Sequence, residues 1–153
     1  MNEVEYTVEQ VPVERTRALR KAVLRPYLPD DDPYALADDQ LPSTVAFGAV
    51  ASDGELIGVV RVAPEPPPFD PSNQRGWRLR GMATSPSARN LGVGTALLRA
   101  TVDHVATTGG GTLWCNARVS ARGLYQRGGM QQWGGVWDEP HIGPHIVMWR
   151  NID

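Results

Sequence analysis

Sulfhydryl chemistry is nearly missing from this chain: Cys115 is its only cysteine. No internal disulfide can form, which fits a reducing compartment. Long hydrophobic runs are missing too. None approaches the ~20 apolar residues that a membrane-spanning helix needs. The N-terminus, Met1-Asn-Glu-Val-Glu-Tyr6, has neither a basic flank nor an apolar stretch, so a secretory leader is not expected. Charge of one sign does not dominate either. A formal net charge of −2 gives no bulk attraction to nucleic acid. Metal-ligand spacing is also lacking. His141 and His145 bracket Pro144, and no further Cys or His clusters with them. The expectation is a cytoplasmic protein without metal, membrane or nucleic-acid partner.

What is present fits one packed domain spanning residues 1–153, with 41% hydrophobic and 21% charged residues. Val4 to Val11 alternates loosely and reads as a strand. Val13 to Leu24 reads as a helix with Ala18, Leu19, Ala22 and Val23 on an apolar face. Arg15, Arg17, Arg20 and Lys21 then fall on a solvated basic face. Thr44 to Ala51 and Leu56 to Ala63 form a hairpin around Ser52-Asp53-Gly54, with Gly58 as a candidate bulge. The proline-rich stretch Pro64 to Asn73 is a surface connection or a cleft wall.

Trp77 to Thr84 is the central strand candidate, and Gly81 marks a bulge or a close approach. A helix follows from about Gly92 to Ala106, with Thr95, Arg99 and Asp103 as its polar stripe. Gly109-Gly110-Gly111 ends it. Thr112 to Ala117 is a strand, Ser120 to Gly128 a short helix with Ser120 as N-cap, and Met130 to Trp137 and His145 to Trp149 are strands. Alternating strands and helices between hairpin-like ends predict an α/β (α+β) fold, a mixed sheet with helices on both faces.

The loop between the central strand and the long helix carries the chemistry. Uncapped helical N–H groups and the helix dipole make such a place an anion site. Gly92-Val93-Gly94 is not a phosphate-binding loop of the Gly-Lys-Ser/Thr type, since no lysine follows. A dinucleotide fingerprint would need a third glycine where Leu97 stands. The spacing Met82-Ala83-Thr84, Pro86, Arg89, Gly92, Gly94, Leu97-Leu98 is more informative than the glycines alone.

In that spacing the chain resembles the GNAT superfamily of acyl-CoA-dependent N-acyltransferases. Arg89-Asn90-Leu91-Gly92-Val93-Gly94 matches the family's Arg/Gln-x-x-Gly-x-Gly/Ala loop. Ala121-Arg122-Gly123-Leu124-Tyr125-Gln126-Arg127-Gly128-Gly129-Met130 is similar to its Ala-x-x-x-Tyr-x-x-x-Gly-Phe segment, with Met130 for the usual Phe. The likeness is close from Trp77 onward and holds in outline before it. It implies a single domain with a mostly antiparallel sheet of about six to seven strands, splayed in the middle.

The resemblance implies acetyl-CoA as co-substrate. Arg89, Asn90, Leu91, Gly92, Val93, Gly94 and Thr95 would cradle its pyrophosphate. Met82, Ala83 and Thr84 would pair with the pantetheine arm. Asn116, Arg118 and Ala121 are further cofactor contacts, Arg118 standing where the family often has an Asn. Tyr125 is the implied general acid. The family's common Glu on the central strand is missing, because that strand offers Arg78 and Arg80 instead. His141, His145, Asp138, Glu139 and Glu65 are the candidate bases. Trp133 and Trp137, four apart, could floor an acceptor pocket or serve as core or subunit contacts.

The expected activity is transfer of an acetyl group to a primary amine. Acidic segments at Asp30-Asp31-Asp32 and Asp38-Asp39 favour a cationic small molecule as acceptor, and a homodimer is compatible. The alternative is an acyl-CoA-binding sensor or interaction module without turnover. Cys115, in an apolar strand, reads as structural rather than as an acyl carrier.

Overall fold

The computed structural model describes residues 5–153, so Val4 lies outside the description. Seven strands make one sheet: β1 (Tyr6–Val11), β2 (Val45–Ala51), β3 (Leu56–Pro64), β4 (Gly76–Thr84), β5 (Gly111–Arg118), β6 (Gln131–Glu139) and β7 (Gly143–Ile152). Their order is β1-β2-β3-β4-β5-β7-β6. Every neighbouring pair is antiparallel except β4 and β5. Three helices accompany the sheet: α1 (Arg17–Leu24), α2 (Val93–Thr107) and α3 (Arg122–Arg127). Among the described residues, no helix is long and apolar enough to cross a membrane.

The hairpin forms where the turn residues place it. Gly54 takes a φ of +87°, and the Asp53 side chain accepts the Glu55 N–H at 2.9 Å. Gly58 lies beside an irregularity in which Ile57 is the extra residue between the pairs Ala49–Gly58 and Val50–Leu56. Its own role is clearance. A β-carbon on Gly58 would stand 2.4 Å from Val93 Cγ1 and 3.1 Å from Leu97 Cδ1, so the glycine lets α2 press onto β3.

Helix α2 buries Val93, Leu97, Leu98, Thr101 and Val105 against the sheet and exposes Thr95, Arg99 and Asp103, as its pattern predicts. Full burial of a residue such as Leu97 contributes about 2 kcal/mol. The helix stops through two bonds, Gly110 N–H to Val105 carbonyl at 3.0 Å and Gly109 N–H to Ala106 carbonyl at 3.1 Å.

Helix α1, on the other face, departs from the expected pattern. Val13–Thr16 is a turn of 3-10 helix, and only Arg17–Leu24 is α-helical. Ala18 and Ala22 are exposed, whereas Arg20 is fully buried and Arg17 half-buried. Arg20, with Arg17 beside it, therefore turns inward, whereas Arg15 stays exposed and Lys21 donates to the Asp32 carbonyl at 2.7 Å. Arg20 donates to Thr16 Oγ1 at 3.2 Å and lies over the Tyr34 ring at 5.0 Å. Ser120 does not cap α3; it sits within a 3-10 turn, and no side chain caps that helix.

Candidate active site

The parallel contact between β4 and β5 is short. Gly76, Trp77 and Arg78 pair with Thr112, Leu113 and Trp114, and then the strands part. β4 runs on to Thr84 and β5 to Arg118 with no pairing between them. A bulge on β4 accompanies the divergence. Val59 pairs with Ala83 and Arg61 with Arg80, leaving Gly81 and Met82 opposite Val60 alone. Gly81 takes a φ of +69° there. The opening holds a cavity of about 320 Å³. Met82, Asn116, Arg118, Ala121 and Tyr125 all line it.

Ala83 and Thr84 carry the open edge of β4 onward to the loop. Ala83 itself is buried against the core. After a 3-10 turn at Pro86–Ala88, Arg89, Asn90 and Leu91 are exposed, and Asn90 and Gly92 both have positive φ, +66° and +77°. Among the described residues, no side chain caps α2. The first intrahelical bond is Ala96 N–H to Gly92 carbonyl at 3.0 Å, which leaves the N–H groups of Val93, Gly94 and Thr95 at the helix mouth. Tyr6 on β1 steadies the loop by donating to the Leu91 carbonyl at 3.3 Å.

Helix α3 sets Tyr125. The Met130 N–H bonds the Tyr125 carbonyl and the Gly129 N–H bonds the Gln126 carbonyl, each at 3.0 Å. That is a Schellman ending, and Gly129 supplies its left-handed residue with φ +86°. The spacing Tyr125…Gly129-Met130 thus has a local cause. Met130 and Tyr125 share the same core. Tyr125 is only 4% exposed yet borders the cavity. Burial first, and the adjoining Cys115 second, push its hydroxyl well above the usual phenol range. It therefore stays protonated, the form in which it can donate. Burial likewise pushes the Cys115 thiol up to about 12, which removes it as a nucleophile.

The wall on the α1 side is basic. Arg25, Arg78, Arg80 and Arg118 line the cavity against one carboxylate, Glu139. Arg78 is paired with Glu65 at 3.1 Å and lies over the Trp114 ring at 5.0 Å. Arg118 donates to the Leu24 carbonyl at 3.1 Å, and Arg25 to the same carbonyl at 2.8 Å. Burial, then Arg78 and Arg61, hold Arg80 below its ordinary pKa, though a guanidinium remains charged there.

Of the acidic segments, Asp38 and Asp39 are engaged internally. Asp38 pairs with the buried Arg61. Asp39 Oδ1 stands 2.9 Å from Arg61 Nε, too bent for a hydrogen bond, and its Oδ2 is 3.3 Å from Arg17. Asp30 and Asp31 are exposed on the loop after α1, and the partly buried Asp32 accepts the Tyr34 N–H at 2.8 Å.

Among the five candidate bases, Glu139 and His145 reach the cavity. Glu139 accepts from Trp137 Nε1 at 2.8 Å, and the His145 Nδ1 is 2.9 Å from the Gly143 carbonyl. A carbonyl only accepts, so Nδ1 donates in that contact and Nε2 is the nitrogen left free of it. His141 instead stacks on Tyr27 at 4.8 Å, and Glu65 is held by Arg78. Trp137 packs on His145, while Trp133 meets Phe69 of the proline-rich stretch. No residue of that stretch lines the cavity, so it covers the sheet rather than walling the cleft.

Sequence reasoning passed over Arg20, Arg25 and Tyr34. Tyr34 lines the cavity with a φ of +51°, a conformation rare for a bulky residue and frequent at functional sites. The available signal was Arg78-x-Arg80, whose spacing of two puts both side chains on one face of the strand.

Residues 13–130 match the Acetyltransferase (GNAT) family. YitI of Bacillus subtilis (strain 168), an uncharacterized N-acetyltransferase, is 32% identical over 145 residues, 95% of each chain. Among solved structures, an aminoglycoside 6'-N-acetyltransferase complexed with coenzyme A superposes with a TM-score of 0.75 at 17% identity, covering 96% of this chain and 97% of that one. The ribosomal-protein-S18-alanine N-acetyltransferase of Escherichia coli gives 0.73 at 17% identity over 97% and 94%. These two likenesses concern the fold.

Proposed function

The chain belongs to the GNAT family of acetyltransferases, and on that premise we propose that it moves an acetyl group from acetyl-CoA directly to a primary amine, with Tyr125 as general acid. The wedge between β4 and β5 carries this reading. It offers an unpaired strand edge, an uncapped helix at one end and a protonated tyrosine on its wall.

The amides from Arg89 to Thr95 receive the pyrophosphate, with Val93, Gly94 and Thr95 at the positive end of α2. Met82 to Thr84 pair with the pantetheine arm as an added strand would, while Asn116, Arg118 and Ala121 bound it from the β5 side. An N–H at the open edge of β4 faces the thioester carbonyl, and such a donor lowers the barrier by ~3 kcal/mol. The amine nitrogen bonds to the carbonyl carbon and gives its proton to the base. The carbon–sulfur bond breaks, and the Tyr125 hydroxyl returns a proton to the departing sulfur. Glu139 and His145 are the groups placed to take the amine's proton, directly or through water.

Tyr125→Phe tests the assignment. Turnover, followed as free thiol released from acetyl-CoA, falls about 100-fold, while the KM for acetyl-CoA stays within about twofold. Unchanged turnover removes Tyr125 from the mechanism. Acetyl-CoA binding with no thiol release across a broad amine panel would instead favour an acyl-CoA-binding module, the reading suggested by the lack of an acid on β4.

A further inference from the structure

Resting on the acetyltransferase reading, we propose that the acceptor amine also carries an oxyanion, a carboxylate or phosphoryl group, and that Arg80 is the principal residue that receives it. The argument begins in the sheet. Arg80 and Arg61 stand directly opposite each other across the antiparallel pair β3–β4. Like charges so placed repel. Asp38 and Asp39 answer Arg61, which is fully buried. Asp38 is near enough to act on Arg80 as well, but it pairs with Arg61, and no ion pair to Arg80 occurs among the described residues.

The surroundings deepen the imbalance. Arg25, Arg78, Arg80 and Arg118 line the cavity, and Arg20 and Arg61 lie behind its wall. Facing these six guanidinium groups are four carboxylates, Asp38, Asp39, Glu65 and Glu139. Arg17 also leans on Asp39. Arg20 is fully buried, and its Nε and one terminal nitrogen have no partner among the described residues. It sits behind Gly81 and Tyr34, both of which line the cavity.

Acetyl-CoA does not account for this charge. Its phosphates belong at the mouth of α2, beyond Thr84, which is roughly 13 Å along β4 from Arg80. The arm that passes the cleft is uncharged. The unanswered charge is therefore on the acceptor's side. A carboxylate or phosphoryl group there accepts the planar fork of a guanidinium in bidentate fashion. Glu139 on β6 and His145 on β7 also line the cavity and remain for the amine. Tyr34 has two of these guanidinium groups over its ring, Arg20 at 5.0 Å and Arg25 at 5.7 Å from the centroid. The acidic loop Asp30 to Asp32 lies outside the cavity lining and does not offset its sign.

The test uses matched amines with the full chain and acetyl-CoA, reading thiol release. Glycine and glutamate are compared with glycinamide and glutamate diamide, and 2-aminoethylphosphonate with its diethyl ester. Putrescine and spermidine supply cationic controls. The anionic member of a pair is expected to show a kcat/KM at least about tenfold higher. Preference within the amino acid pairs identifies a carboxylate, and within the phosphonate pair a phosphoryl group. Arg80→Gln raises the KM of the preferred anionic acceptor by about tenfold or more with the KM of acetyl-CoA unchanged, and Arg80→Lys restores part of it. Equal or better turnover of the neutral or cationic amines overturns the proposal, as does Arg80→Gln leaving the ratio within a pair unaltered. If no amine releases thiol, the acetyltransferase reading fails, and the site is then read by thermal shift with N-acetylglycine against N-acetylglycinamide and with inorganic phosphate. Stabilisation by the anions that Arg80→Gln abolishes sustains the oxyanion site, and its absence refutes it.

Discussion

Arg20 on α1 lies hard against Gly81 on β4: a β-carbon at Gly81 would stand 2.8 Å from its Nε and 3.0 Å from its Cδ. Two conditions thus meet at one residue, the φ of +69° that the bulge requires and the clearance that a buried guanidinium needs. Both lie at the bulge that accompanies the parting of β4 from β5.

Gly81→Ala should therefore cost stability and function together. The left-handed backbone costs about 1 kcal/mol, and displacing a fully buried Arg20 adds a comparable amount. A thermal midpoint lower by about 4–8 °C is expected, with a KM for acetyl-CoA raised along with it because the open edge of β4 shifts. Calorimetry and thiol-release kinetics check the two effects. A variant with unaltered midpoint and KM would show that the bulge does not need glycine.

The Asp39 carboxylate is the second hinge of the α1 face. Burial disfavours its charge, but the Leu36 N–H at 2.8 Å and the neighbouring Arg61, Arg20 and Arg17 outweigh that and hold it below the usual aspartate range. Its folded pKa is lower than its unfolded one. The stabilisation is then fully present above about pH 4 and is lost as pH falls through the folded value. Asp39→Ala strands part of the Arg61 charge and should cost about 3 kcal/mol near neutral pH. Asp39→Asn keeps an acceptor for Leu36 and should cost less. Denaturant midpoints taken from pH 7 to pH 2 check this: the gap between wild type and Asp39→Ala narrows in acid. A gap independent of pH would mean that charge is not the cause.

The contrast between α1 and α2 shows what a sequence carries in legible form. The long helix, its loop and the Tyr125 segment are locally determined: periodic apolar residues, an uncapped Gly92, and a Schellman ending at Gly129 each declare themselves within a few positions. The seven strands follow from alternation and turn chemistry in the same way. Arg20 could not be placed, because its burial rests on Thr16, on Tyr34 and on a bulge at Gly81 far along the chain. Asp38 and Asp39 read as acids available to a cationic acceptor for the same reason, since Arg61, with which they pair, lies a hairpin away. Buried charge is invisible to periodicity, which scores an arginine as outward wherever it falls. The basic cavity was hidden with it.

Cys115 offers a last prediction, and one that guards the activity assay. It faces the Tyr125 hydroxyl from β5, is 1% exposed, and burial pushes its thiol up to about 12. At pH 8 its thiolate is then roughly one part in ten thousand, against roughly a quarter for an ordinary cysteine. Native protein should show almost no reaction with Ellman's reagent over the minutes of an assay, and one equivalent per chain once unfolded in guanidinium. Thiol appearing during turnover is then released from acetyl-CoA. The same burial argues against a covalent acyl relay, so Cys115→Ala should keep kcat within about threefold while lowering the thermal midpoint by a few degrees, on the order of 1 kcal/mol for a small core cavity. Complete loss of turnover in a folded Cys115→Ala protein, with rapid Ellman labelling of the native wild type, would restore the thiol as the acyl carrier.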